Sequence, residues 1–377
     1  MGAGPMLWRR EGCTQAARLP PVTGHQTPRQ SDKTAVLNAE ALEQLRARAK
    51  MDPQHVRRLR NTLLKSFAPD AVALAPFPAA DQLELHALQA HERHDSTVDG
   101  ASKLLLRTAA GLLTEAVVLR IATGRSTVCV SSQIGCAAAC RFCATGTMGI
   151  ARSLSAAEIL DQVVRAGQLL AAEGRRLRNV VFMGMGEPFH NARAVHESVA
   201  ALINPALFNY SPSKVLVSTV GVVDGMLGFA EEFPDVGLAL SLHSVRQDVR
   251  ERIIPLAKTN RLPALRDAIV ELNRMQSRPV MLEYLMLQGV NDTAEDLQRL
   301  IAWTAGLEVH VNLIPFNPID DVPELQATAR STMAVFGDAL KAAGRTTTVR
   351  HSLGRDIEAA CGQLVKRENL AILRGRR

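Results

Sequence analysis

Cys136-Ala-Ala-Ala-Cys140-Arg-Phe-Cys143 follows closely on a β-forming run, Thr127-Val-Cys-Val-Ser131, and the rest of the chain is organised around it. Thiolates are soft ligands suited to zinc or to iron–sulfur clusters. Three of them can hold a four-iron cluster while leaving one iron without a protein ligand and open to substrate. A structural zinc site takes four ligands, commonly as two CxxC pairs. That pairing is absent: the next cysteine, Cys129, lies upstream on the preceding strand, and no histidine falls between it and Cys143. The spacing favours an open cluster over structural zinc.

Beyond the cysteines a pattern repeats. Apolar, β-branched runs occur at Asn179–Met183, Lys214–Val220, Val236–His243, Val280–Leu287 and Val309–Phe316. Helix-like stretches alternate with them at Ala156–Ala172, Ala192–Ile203, Val222–Glu232, Leu262–Gln276 and Thr293–Ala305. Nearly continuous apolar strands belong to a parallel sheet covered by helices. The expected fold class is α/β, an open, partial (βα)6 barrel. A hairpin, Lys103–Thr108 and Glu115–Ile121 around Gly111, leads into it. Helix Ala329–Ala343, strand Thr346–Ser352 and helix Asp356–Leu364 close it.

In such folds the chemistry sits at the carboxyl ends of the strands. There the chain places Gly184-Met-Gly186-Glu187-Pro188, Ser218-Thr-Val-Gly221, Ser241-Leu-His243 and Pro315-Phe-Asn317-Pro318. Small, carboxylate, hydroxyl and amide groups at four strand ends make a rim able to bind a polar cofactor beside the cysteine loop.

Upstream, residues 1–34 are rich in Gly, Pro, Arg, Gln and Thr without periodicity and read as a disordered leader. Residues 35–100 read as a small helical accessory region, with Leu42, Leu45, Val56, Leu59 and Leu63 at helical spacing. His86, His91 and His94 do not share one helical face and are expected to be solvated. Residues 101–364 form the expected core, and 365–377 a basic tail.

Six cysteines in 377 residues are too few for a disulfide scaffold, which suits a reducing compartment. No apolar run reaches about 18 residues, so no membrane helix is expected. No apolar segment follows Arg9 and Arg10 as a secretory signal requires, which leads to an expected cytoplasmic location. A net charge of +7 favours a polyanionic partner, because basic surface releases counterions from phosphates.

From about Thr114 to Leu364 the sequence resembles the RlmN/Cfr family of radical SAM ribosomal-RNA adenine methyltransferases. The resemblance rests on Cys129-Val-Ser-Ser-Gln-Ile-Gly-Cys136 with the cysteine loop, Gly184-Met-Gly-Glu-Pro188, Ser241-Leu-His243, Asn312-Leu-Ile-Pro-Phe-Asn317 and Asp356-Ile-Glu-Ala-Ala-Cys-Gly-Gln-Leu364. It implies that Cys136, Cys140 and Cys143 hold a [4Fe-4S] cluster whose open iron chelates S-adenosylmethionine. It implies a cofactor site at Gly186, Glu187, Ser218, Ser241, His243 and Asn317. It also implies that Cys361 carries the methyl group, Cys129 resolves the protein–RNA adduct as a transient disulfide, and Glu115 accepts the ring proton. The substrate would be RNA, with ribosomal RNA ahead of transfer RNA and carbon-2 of adenine ahead of carbon-8. An electron donor such as flavodoxin or ferredoxin is implied as well. A radical SAM enzyme with a different substrate is the competing reading, in which Cys129 and Cys361 would have no task. The chain departs from the family in lacking the Trp-rich signature in residues 35–100, and in having Leu353-Gly354-Arg355 where the family shows Arg-Gly.

Overall fold

The structure, a computed structural model, describes residues 33–319, 321–350 and 352–360, with 369 and 371. Almost all of the expected leader, Cys361 and nearly all of the basic tail lie outside the described residues.

The chain opens with strand β1 (Thr34–Ala35) and three helices, α1 (Ala39–Arg48), α2 (Pro53–Arg60) and α3 (Asp70–Leu74). Asn38 and Asp52 start the first two helices by accepting the backbone N–H of Ala41 and Gln54, which satisfies donors that the helix itself leaves open. Leu42, Leu45, Val56, Leu59, Leu63 and Leu64 form the buried face. β2 (Leu83–Glu84) pairs in parallel with β1.

One ten-stranded sheet carries the rest. β3 (Gln89–Asp95), β4 (Ala101–Arg107), β5 (Leu113–Arg120) and β6 (Ser126–Cys129) are antiparallel neighbours. After the short ribbon β7 (Gln133–Gly135) and β8 (Ile150–Ser153), which brackets α4 (Ala144–Met148), the sheet continues in parallel. β6 pairs with β9 (Leu177–Phe182), followed in order by β10 (Val215–Thr219), β11 (Gly237–Ser241), β12 (Val280–Met286), β13 (Val309–Pro315) and β14 (Thr346–Val349). Helices α5 (Ala156–Ala172), α6 (Ala192–Ile203), α7 (Val223–Glu232), α8 (Gln247–Ile253), α9 (Leu262–Met275), α10 (Ala294–Trp303) and α11 (Arg330–Ala342) lie in the crossovers. Among the described residues the order β14 to β3 leaves both edges without a further strand, so the barrel is partial, as expected.

Three details differ from the sequence reading. Gln89–Asp95, within the expected helical region, is the edge strand β3, exposed along its whole length and without alternating polarity to mark it. In place of a helix from Asp356, a single 3-10 turn spans Arg355–Ile357 and ends in a left-handed Glu358 (φ 51°); residues 361–364 are outside the description. His91 and His94 are exposed as expected, but the side chain of His86 is only 12% exposed.

His86 fastens the N-terminal helices to the barrel. Its Nδ1 lies 2.6 Å from Asp161 of α5, and its Nε2 lies 3.0 Å from Asp70 of α3. Asp161 also accepts the N–H of Leu88 at 2.8 Å. Beside this contact the ring of Phe67 lies so close to Gly167 that a Cβ there would meet it at 2.3 Å, which explains a glycine in the middle of α5. Burial alone would lower the His86 pKa, but the two aspartates outweigh it and the value is raised. A raised folded-state pKa gives stability that is fully present below about pH 6.5 and lost as pH rises through the folded value. The gap in unfolding free energy between wild type and His86→Gln is therefore expected to shrink from pH 6 to pH 9, read by urea denaturation. A gap constant over that range would rule out the charged latch.

Candidate active site at the carboxyl ends of the strands

An open cleft of about 900 Å³ at the barrel mouth is lined by Cys136, Cys140 and Cys143 on one side and by Gly186, Glu187, Ser218, Ser241 and His243 on the other.

The cysteine loop is built by local constraints. Cys136 N–H donates to Gly149 O at 2.9 Å, pinning the loop across the β7–β8 ribbon, and Arg141 N–H donates to Ile253 O at 3.0 Å. A Cβ at Gly146 would stand 2.6 Å from Cys140 O, so only glycine allows the loop to close on α4. Phe142 packs edge-on against the His243 ring, with centroids 4.9 Å apart.

The three thiols suit a metal cluster. Burial pushes the Cys136 thiol up to about 12 and raises that of Cys140 as well, so neither ionises at neutral pH without a cation to hold the thiolate. Among the described residues no group of His, Cys, Asp and Glu side chains is gathered as a single ion requires. A wider, all-sulfur set facing a cleft fits a four-iron cluster held by three cysteines.

Across the cleft, Gly186 has φ +101°, and a Cβ there would lie 2.6 Å from Gln133 Cβ. Glu187 is buried and accepts the N–H of Val220 at 2.8 Å and of Phe189 at 3.1 Å. Burial raises its pKa to about 6 against the pull of these bonds. His243 adopts a left-handed φ of 55°, and its Nδ1 accepts the N–H of Leu285 at 3.1 Å. Its other ring nitrogen is therefore the donor. Burial first, and Arg250 second, lower its pKa to about 3, so the ring is neutral. Asn317 is buried beside Phe316 and takes a hydrogen bond from Arg355 Nε at 2.8 Å.

The expected pair Cys129 and Glu115 sits on β6 and β5. Cys129 lies opposite Val117, and Glu115 is two residues before Val117, so the three share one face of the sheet. Glu115 is fully buried, with Lys103 Nζ at 4.0 Å. Cys361 falls outside the described residues, but its surroundings are anchored. Gly354 N–H and Ser96 Oγ bond to Asp99 and Asp356 at 2.8 Å each, Ala359 and Ala360 are buried, and Asn369 bonds both backbone groups of Leu113 at 2.8 Å.

Sequence reasoning missed three charged residues here. Arg250 is fully buried and donates to the carbonyls of Val220 (2.6 Å), Leu242 (3.1 Å) and Ser241 (3.3 Å), binding together the strand ends that carry the rim. Glu283 lines the cleft, and Arg350 lies 3.8 Å from it. A lone carboxylate inside the apolar run Val280–Leu287 was the available signal for Glu283. Arg250, on an amphipathic helix, gave none.

Residues 130–303 match the radical SAM superfamily. The chain is 58% identical over 328 residues to a probable RNA methyltransferase of Rhodopirellula baltica, covering 87% of this chain and 86% of that one. It is 41% identical to the dual-specificity RNA methyltransferase RlmN of Magnetococcus marinus, covering 72% and 75%. In structure it is similar to a radical SAM methyltransferase from Sphaerobacter thermophilus, with TM-score 0.81 and 35% identity over 88% of this chain and 98% of that one.

Proposed function

Because the chain belongs to the RlmN-like RNA methyltransferases of the radical SAM superfamily, we propose that it methylates a ring carbon of adenine, carbon-2, in ribosomal RNA. It is a radical SAM RNA methyltransferase, and its cofactors are a [4Fe-4S] cluster and S-adenosylmethionine. The observation that supports the radical chemistry is the cleft that joins three thiols, two of them buried, to Gly186, Glu187, Ser218, Ser241 and His243 at the strand ends.

The cluster, when bound by Cys136, Cys140 and Cys143, supplies the electron for reductive cleavage of S-adenosylmethionine. The remaining tasks fall to this chain. Gly186 lets the backbone approach the ligand, and Glu187 stiffens the rim by holding two backbone N–H groups. Neutral His243 offers one donor without adding charge beside the cluster. Cys361 carries the methyl group that becomes joined to the base. Glu115 takes the ring proton, with Lys103 to stabilise its charge. The Cys129 thiolate then attacks the Cys361 sulfur, forming an S–S bond as the S–CH2 bond breaks; the electron pair stays with the exocyclic carbon, which takes up one proton to complete the methyl group. The buried face shared by Glu115 and Cys129 supports the pairing of these last two roles.

Among the described residues no helix is long and apolar enough to cross a membrane. The test is mass spectrometry of nucleosides from ribosomal and transfer RNA of cells with and without the protein. Loss of 2-methyladenosine to background in the ribosomal fraction is expected. Unchanged 2-methyladenosine would sink the carbon-2 reading, and loss of 8-methyladenosine instead would move the reaction to carbon-8.

A further inference from the structure

Resting on the reading of the cleft as an S-adenosylmethionine site, we propose that Glu283 of β12 receives the ribose diol of that cofactor. Glu283 lines the cleft and is 6% exposed. Its Oε2 accepts the hydroxyl of Ser218 at 3.3 Å, and Ser241 lines the same cleft. Among the described residues its Oε1, also buried, accepts no hydrogen bond. An unsatisfied buried carboxylate oxygen is costly and calls for a donor.

The hydroxyls decide which donor. A serine has one O–H proton, and that of Ser218 is spent on Glu283. Ser218 then offers the cleft lone pairs alone. Beside the orphaned Oε1 this makes an acceptor surface, which suits a ligand group with more than one donor. S-adenosylmethionine offers three such groups. Its ammonium goes to the open iron, and its adenine amine is a single nitrogen at the far end of a flat ring. The ribose diol presents two adjacent O–H groups, and a buried carboxylate is a suitable partner for them. An internal RNA nucleotide has only a 2′-hydroxyl, because its 3′-oxygen is esterified, so the diol also distinguishes cofactor from substrate.

Arg350 completes the arrangement. Burial raises the Glu283 pKa, while Arg350 and then the two serines pull it down. The guanidinium, 3.8 Å from Oε1, balances the carboxylate charge.

The test uses full-length protein holding its cluster, with S-adenosylhomocysteine and its 2′,3′-dideoxy analogue as probes in equilibrium binding. Wild type is expected to prefer the diol by about 30-fold or more, from two charge-assisted hydrogen bonds. In Glu283→Met, with iron content unchanged, the preference is expected to fall below about threefold. Equal affinity of the two probes for wild type would overturn the proposal whether or not the variant folds. So would an undiminished preference in Glu283→Met, or an equal loss for both probes, which is the mark of a packing role. Failure of wild type to bind S-adenosylhomocysteine at all would instead refute the cofactor site on which the proposal rests.

Discussion

Cys129→Ala protein is expected to stop after one turnover and to accumulate covalently bound to RNA. Up to that point nothing in the reaction uses Cys129. Its side chain is neither among the cluster cysteines nor on the lining of the cleft, so cluster and S-adenosylmethionine should be retained. What is lost is the thiolate that displaces the Cys361 sulfur. The other described thiols, Cys136, Cys140 and Cys143, face the cleft, where the proposed reading commits them to the cluster. A disulfide needs α-carbons roughly 4.4–6.8 Å apart, which a free thiol in solution meets only by entering a buried face. Denaturing gels should show a band that shifts on nuclease digestion, and peptide mass spectrometry should place the modification on Cys361. Cys361→Ala should give no such band. Full turnover by Cys129→Ala, or 5′-deoxyadenosine formation without adduct, would show that another group resolves the intermediate.

The second large effect is at Arg250. Burial drops its guanidinium to about 10, still charged at neutral pH. Its donors end on carbonyls of two neighbouring strand ends, from Val220 after β10 to Ser241 and Leu242 at the end of β11. Methionine would fill similar volume and leave those acceptors dry and unpaired, at about 1–3 kcal/mol each. A total loss of about 3–5 kcal/mol is expected from urea denaturation, a large share of the roughly 5–15 kcal/mol typical of a folded domain. Affinity for S-adenosylhomocysteine should fall at least about tenfold with it, because Ser218, Ser241 and His243 sit on the freed strand ends. Arg250→Lys keeps the charge without the planar fork and should lie between. A destabilisation below about 1 kcal/mol in Arg250→Met would mean that water takes over the carbonyls.

The barrel was legible because its signals are local. β9, β10, β12 and β13 are short apolar runs of the kind a doubly covered strand must have, and the three-cysteine loop has one spacing and one soft donor type. β3 was illegible for the opposite reason: Gln89–Asp95 buries neither face, so no periodicity distinguishes it from a loop. His86 looked solvated because its partners, Asp70 and Asp161, lie 16 and 75 positions away. Arg250, Glu283 and Arg350 act through contacts between elements, and the sequence alone carries no mark of which carbonyl or carboxylate a buried charge will meet. Glu115 was legible as a residue but not in its setting, since burial and the nearness of Lys103 arise from strand pairing.

The Asp356 contacts have a consequence in time. Ser96 and Asp356 are 260 positions apart, and Asn369 reaches Leu113 across 256. At about 5–20 residues per second, a nascent chain displays Ser96 roughly 13–50 s before Asp356 has been made. Long-range contacts of this kind also carry the largest loop-closure entropy and form late. Synthesis thus leaves an interval in which the three-cysteine loop has emerged while the segment leading to Cys361 has not yet been drawn over the β4–β5 side. On the function proposed above, iron and sulfide have their widest access during that interval, and the order of translation puts cluster insertion before closure over the proposed thiol pair.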